Sequence, residues 1–506
     1  MNTKCAMLVM AVIASFSLLA GTWYVDASRP NDDGDGTSAE TAKKTIQAAV
    51  SAAESSGEAT LVVKVAPGTY DSGEVVDSNG AKNRVVITKK LTLESTGSRD
   101  DTFLVGAKGA GSYGLGSDSV RGICADGADA AGSIIRGFTF KDCSAGRIKG
   151  SAELSGHGGA VCFNQGTCDV YVKDCAAIDC AAYFGGGFCG VVVLRSMVKG
   201  CHNDNTGNGG AALKACKAYN CIFVGNGASD SYEEYILSGN GPYVNCTAVA
   251  NNGSLLRTSS SQRIYNSIST MANRQEFDGT NNGGANVIAE YGSGSSGFTN
   301  YRQVTNNTDS FYKLLVAVMM GDYRPVAGGD AESFGDPQWC ELDWIPLEDR
   351  NLDYFSNPRV VGGNVDVGAI QGAVAVAGGV LKCRELVKTT GSSTYTRNWH
   401  ANCGHATWVP TMVRVTPPEG TFCCTVGTDE ALSKLKTVRY ADRDGGFWQV
   451  VPESGRWRVL PVAATATLWV DAESTADAPT GAESAPFRTI QAAVYEIGRA
   501  SCRERV

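Results

Sequence analysis

Six short stretches of this chain align in one register: Phe138–Cys143, Cys175–Cys180, Ser196–Cys201, Cys221–Asn226, Cys246–Asn251 and Ser267–Ala272. From the second onward their starts lie 21, 25, 25 and 21 residues apart. A repeat of that length, with small or polar residues at fixed places, marks a solenoid whose coils bury their apolar faces only against one another. One column holds Cys175, Ser196, Cys221, Cys246 and Ser267, and the other holds Cys143, Cys180, Cys201, Asn226 and Asn251. Neighbouring rungs about 4.8 Å apart are within disulfide reach. The exchange of Cys with Ser and Asn favours a file of small buried side chains, so these thiols are expected to be free.

Sixty-one glycines against 14 prolines in 506 residues suit tight turns between many short strands, and the class expected is all-β. Asp and Glu total 52 against 44 Lys and Arg. That balance lacks the dense cationic surface that backbone recognition needs, so no nucleic-acid partner is expected. Residues 1–21 read as a secretory signal peptide: a basic start ending at Lys4 and an apolar run, Cys5–Ala20, too short to span a bilayer. No second long apolar run follows, and an extracellular or cell-surface location is expected, with no transmembrane segment.

Downstream of the signal come a short strand, an acidic glycine-rich loop and a helix over Thr45–Ser56, stopped at Gly57. Ile46, Ala49, Val50 and Ala53 share one face of that helix, which suits a cap over the first open coil. Strands follow at Leu61–Val65, Val85–Ile87 and Leu91–Leu93, and glycines recur at Gly158–Gly159, Gly185–Gly187 and Gly209–Gly210. Residues 22–372 form the solenoid, and 373–466, with Pro417–Pro418 and short strand-like pieces, form a small β-rich module of sandwich type. Residues 467–495 repeat the opening motif, Trp469 matching Trp23 and Thr489–Val494 matching Thr45–Val50, so a second solenoid starts there. Glu496–Val506 is what a sequencing-adapter oligonucleotide encodes in one frame, and is read as an artefact of assembly.

The opening residues WYVDA (Trp23–Ala27) and GTSAETAKKTIQAAV (Gly36–Val50), then VAPGTY (Val65–Tyr70), the stacked coils and NPRVVGGNVDVGAIQ (Asn357–Gln371) resemble secreted proteins of the pectin lyase-like fold. The likeness spans Thr22–Gln371 and is nearest to large bacterial surface proteins. It implies an all-β fold: a right-handed parallel β-helix solenoid with an N-terminal capping helix, followed by the small module and the start of a second β-helix. The tandem units, the long regular face and the lack of a convincing catalytic set point to an exported modular protein, adhesin-like and non-catalytic, whose partner is expected to be a polysaccharide or cell-surface glycan and whose anchor is expected further C-terminal. Enzymes of this fold degrade acidic polysaccharides in a groove along the outer face. A polysaccharide lyase or glycoside hydrolase is therefore the alternative, and a structural stalk is a third reading.

Lyase chemistry needs carboxylates to hold Ca²⁺ against the substrate acid and a base for the neighbouring proton. Asp142 and Asp179 share one ladder position; Asp174 is near, Arg195 matches it one coil on, and Lys199 is close. The favoured reading of the same residues is a set of solvated turn residues. The segment around Arg147, Lys149 and His157 holds RIK and GHG, tripeptides of polygalacturonases, but in reversed order and six residues apart. No catalytic role follows, and His157 is expected to head a glycine turn. In the second module His400, Cys403, His405 and Cys423 form a set that suits Zn²⁺, against a disulfide among Cys383, Cys403, Cys423 and Cys424. Trp399, Trp408, Trp448 and Trp457 form either a sugar-stacking face or a small core. No cofactor is required, Ca²⁺ entering only with the lyase reading.

Overall fold

The computed structural model describes residues 20–373, apart from 112–113, 147–152, 205–208, 228–234, 240, 250, 252, 257–261, 271–276, 278–282, 290–296, 305–313 and 318–321. It also describes the backbone of seven strands between Leu381 and Pro461. Residues 1–19, most of the expected signal segment, and residues 462–506 with the repeated opening motif lie outside the described residues. Two compact units are present, Met1–Thr425 and Val426–Val506.

The first unit is a parallel β-helix, right-handed as parallel crossovers almost always are. A single coil shows the plan. Tyr171–Lys173 turns at Asp174 into Ala176–Ile178, turns again at Asp179 into Ala181–Ala182, passes Gly185–Gly187 to Phe188–Cys189, and returns through Gly190 to Val192–Leu194. Each strand pairs in parallel with its counterpart one coil on, giving three main walls and a short fourth ladder of Ser144–Ala145, Ala181–Ala182 and His202–Asn203. In the first wall Tyr171↔Val192↔Lys217 are partners, in the second Ala176↔Met197↔Ile222, and in the third Phe188↔Leu213↔Leu237. The first and second walls belong to one nineteen-stranded sheet because the long strand Gly283–Ala289 pairs with both.

The six aligned stretches keep their sequence register in space: Phe140, Ala177, Val198, Phe223, Ala248 and Ser269 are successive partners and all point inward. Every described cysteine, twelve in all, is free and buried. The reason for the Cys, Ser and Asn exchange is visible. The residue after each corner lies inside, where its side chain bridges coils. Cys221 donates to Val193 O at 3.4 Å, Ser196 accepts from Cys175 N at 3.0 Å, and Asn226 accepts from Cys201 N at 3.0 Å. Each of the three side chains makes a hydrogen bond to the backbone of the neighbouring coil.

The helix Ile46–Ser55 closes the first coil. Thr45 caps it by accepting from Ala48 N, Gly57 stops it at φ +78°, and Ile46, Ala49, Val50 and Ala53 are its buried face. The glycine runs let coil backbones touch: a Cβ at Gly159 would lie 2.4 Å from Gly186 O, and one at Gly186 would lie 2.2 Å from His202 O. At the start of a third-wall strand a fully buried Arg121 ties three segments together. It donates to Asp77 and Asn83 at 2.7 Å each, to Ser155 O at 2.8 Å, and to the carbonyls of His157 and Gly158 at 2.9 Å.

Four further strands form an antiparallel sheet in the order Tyr395–Asn398, Leu381–Lys388, Pro410–Val415, Phe422–Thr425. The second unit holds a three-stranded antiparallel sheet of Val438–Ala441, Phe447–Glu453 and Arg456–Pro461. Among the described residues no helix is long and apolar enough to cross a membrane.

Candidate functional site

The corners of the coil decide which polar side chains face out together. Asp174, Arg195, Asn220, Asn245, Asn266 and Asn286 occupy the first corner on successive coils, each with φ between +46° and +55°. Such a left-handed backbone is tolerated by Asn and Asp better than by most residues, so the corner itself selects them. Their side chains receive a strap formed by residues 333–371. Asn220 donates to Leu352 O, Asn245 to Cys340 Sγ at 3.4 Å, and Asn286 to Phe334 O at 2.7 Å. Asn266 makes two bonds to the backbone of Asp336, one given and one accepted, both 2.9 Å.

At the head of this column Asp174 and Arg195 do meet. The guanidinium binds the carboxylate in a fork, 2.7 Å from Nε and 3.0 Å from Nη2, and reaches Asp349 of the strap with Nη1 at 2.5 Å. Lys173 completes the cluster on Asp349 at 2.6 Å and on Glu348 at 3.0 Å, and Arg136 adds a contact to Asp174 at 3.1 Å. Burial works against ionising Asp174, but the bonds and charge of Arg195, backed by Arg136 and Arg99, hold its pKa below the usual carboxylate range. Arg195 is likewise desolvated, and Asp174 and Asp349 more than compensate, raising its pKa. The side chain of Arg195 is 3% exposed. Its chemistry is that of an ion-pair tie between coil and strap.

Beneath the strap both neighbouring walls are sealed. Leu194, Tyr219, Val244 and Tyr265 of the first wall pack against Cys340, Ile345, Val365 and the face of Trp339, which stacks on Tyr265 at 3.8 Å. Ile222, Val224, Val249 and Ile268 of the second wall pack against Tyr354, Val367 and Ile370.

The second corner is different. Asp142 and Asp179 follow each other there with φ +50° and +53°, then Gly200 and Gly225. Both aspartates are exposed. Lys108 pairs with Asp142 at 2.9 Å, and the Asp179 carboxyl lies over Gly200, where a Cβ would be 2.3 Å from Oδ1. Although Asp179 as a whole is exposed, its carboxyl is turned against the backbone at Gly200, and the resulting desolvation, with the charge of Asp142 nearby, raises its pKa despite Lys108 and Lys199. Alongside runs the outer face of the second wall, uncovered by the strap on these coils. Val105, Lys141, Ile178 and Lys199 stand in one row, each half-buried, with Phe103 beside them under the Lys141 ammonium at 4.6 Å. The row is a straight, mixed surface of cations, one aromatic ring and aliphatic carbon, edged by two carboxylates. It needs no cofactor to present that chemistry, and among the described residues no group of three His, Cys, Asp or Glu is placed to hold a metal ion.

A cleft of about 400 Å³ also opens beside the first turn of the helix, lined by Thr45, Gln47, Tyr70, Asp71, Glu74 and Arg84. Its polar groups are engaged: Asp32 accepts from Thr45 N at 2.8 Å, and Arg84 donates to Val105 O, Gly73 O and Gly106 O.

The sequence brought Asp174 with Arg195, and Asp142 with Asp179, into common columns, and the structure does the same while separating the two pairs onto different corners. Lys199 belongs with the second pair. Sequence reasoning missed Lys141, although it holds the same place in its stretch as Lys199, and missed Phe103, which precedes the aligned stretches. Asp349 left no local signal. His400, Cys403, His405, Trp399 and Trp408 lie outside the described residues. Cys423, Trp448 and Trp457 fall in strands whose side chains lie outside the description.

The sequence matches no protein-family model and no curated protein. Among solved structures the chain is similar to pectate lyase Pel9A, at TM-score 0.36 and 12% identity over 69% of this chain and 96% of that one. It is similar to a rhamnogalacturonan lyase at TM-score 0.33 and 11% identity, over 61% and 94%. A third likeness is to the A-module of the Azotobacter vinelandii mannuronan C-5 epimerase AlgE4, at TM-score 0.26 and 11% identity, over 56% and 96%.

Proposed function

We propose that this protein is an exported, non-catalytic binder of glycans or glycan-coated surfaces that holds an extended polysaccharide along the open row of the second wall. The observation that carries the proposal is that row: Lys141 and Lys199 two rungs apart, with Phe103, Val105 and Ile178 between and beside them. Two rungs are about 9.6 Å, a spacing on the scale of alternate sugars in an extended chain. Ammonium groups suit acidic groups on the sugar, and the ring and aliphatic carbons suit its apolar face. The modular sequence, with its repeated opening motif, suits several such rows acting together.

The rival reading is a hydrolase or lyase working at the second corner. Asp142 and Asp179 stand one rung apart, one paired with Lys108 and the other with a raised pKa, an arrangement in which one carboxyl is base and the other acid. Affinity electrophoresis and calorimetry of the full chain with pectate, alginate and glycosaminoglycans, with and without Ca²⁺, separate the readings. Binding without new chain ends, lowered at least tenfold by Lys141→Gln with Lys199→Gln and weakened by added salt, is the expected result. New reducing or unsaturated ends that vanish in Asp179→Asn replace the binder with an enzyme. Binding that the double variant leaves unchanged moves the site elsewhere, and no binding to any glycan leaves the structural stalk.

A further inference from the structure

The outer face of the third wall carries three thiols in one file. Cys124, Cys162 and Cys189 are direct partners on consecutive coils and all are reduced. Rungs about 4.8 Å apart lie inside the Cα window of about 4.4–6.8 Å that a disulfide accepts. The surroundings of the three differ. Cys189 is 4% exposed where Cys162 is 1% exposed, and the Nδ1 of His157 lies 3.6 Å from its sulfur. Lys214 is its partner on the next coil, with its ammonium 5.5 Å from the centre of the Phe184 ring, and the half-buried His157 ring is held edge-on to Phe184 at 4.8 Å. Around Cys162 stand Cys124 and the buried Arg121–Asp77 pair. The hydrogen bond to Cys189, together with burial, keeps the Cys162 thiol protonated far above the ordinary range. An imidazole within hydrogen-bond reach of one sulfur, with a second thiol in line, is an environment that activates a thiol.

We infer that Cys189 and Cys162 are a redox-active dithiol that reduces a hydroperoxide and closes to a disulfide between two coils, with His157 as the base that activates Cys189. His157 takes the Cys189 proton, and the thiolate attacks one peroxide oxygen. The O–O bond breaks, Cys189 becomes a sulfenic acid, and the departing oxygen takes the proton back from the imidazolium to leave as water. Cys162 then attacks the Cys189 sulfur: an S–S bond forms, the S–O bond breaks, and the hydroxyl leaves with the Cys162 proton as a second water. Two thiols lose two electrons and one hydrogen peroxide becomes two waters. The interior file Cys143, Cys180 and Cys201 also sets thiol beside thiol, but among the described residues no imidazole is placed on its sulfurs, it is 0% exposed, and each thiol donates to a backbone carbonyl.

The test treats the reduced full chain with hydrogen peroxide and follows thiols by maleimide mass shift and peptide mapping. Two thiols are lost and a Cys162–Cys189 cross-linked peptide appears, while Cys124→Ser reacts as the parent does. His157→Gln, checked for unchanged melting, reacts at least tenfold more slowly with a flattened pH profile. Lys214→Gln, which leaves the base in place, shifts that profile to higher pH. Thiols that stay inert until the protein unfolds overturn the inference. So does oxidation spread equally over the interior file, or a rate and pH profile indifferent to His157.

Discussion

At the scale of single residues, two aspartates chosen for the same reason behave in opposite ways. Asp174 and Asp179 both sit at left-handed corners, but one faces a guanidinium and the other a glycine that its own carboxyl covers. The folded pKa of Asp174 lies below the unfolded value of about 3.9. Its contribution is therefore complete above that value and is lost as pH falls through the folded pKa. Asp174→Asn should flatten the acid limb of a stability-against-pH curve measured by urea unfolding. The folded pKa of Asp179 is raised, so its contribution is present at low pH and is lost as pH rises through the folded value. Asp179→Asn should raise the urea midpoint at neutral pH and leave it unchanged at pH 3; a lower midpoint at neutral pH contradicts the desolvation described here. Arg195→Met is expected to cost about 3–5 kcal/mol, because the Asp174 and Asp349 carboxylates lose the cation set between them.

At the scale of elements, the corner column is a row of receptors for the strap. Asn266→Ala removes both bonds to Asp336 and should cost about 1–3 kcal/mol. Hydrogen exchange is expected to show the loss concentrated in 333–340, with the interior of the coils unaffected. The interior columns obey a different rule, set by volume and by the bonds their small polar side chains make to nearby backbone. Cys221→Ser keeps both and should shift stability by under about 1 kcal/mol, whereas Cys221→Leu forces extra methyl groups between packed coils and costs about 1–3 kcal/mol. The helix and the ladder were legible because their periodicities are local: Ile46, Ala49, Val50 and Ala53 are the buried face read from spacing alone. The strap was not legible. Its grip rests on single side chains such as Asp349, which stands 154 residues from Arg195 and belongs to no repeat.

For the whole molecule, the strap divides one regular surface into a sealed part and an open part, and the proposed binding row is what remains open. Stability and binding should therefore separate. Asp174→Asn lowers the melting temperature while leaving glycan affinity as it was, and Lys141→Gln with Lys199→Gln abolishes binding at an unchanged melting temperature. Coupled losses in both variants, read by calorimetry, would place ligand and strap on the same surface. The amino-acid sequence by itself determined that the chain coils, where each coil turns and which small side chains stack inside, because those depend on residues a fixed short distance apart. Only the tertiary structure decided which corner the strap occupies, and with it which of four similar aspartates and lysines are joined in buried ion pairs and which face water. The exposure of a corner side chain depends on what a distant segment lays over it, and no periodicity in the chain encodes that.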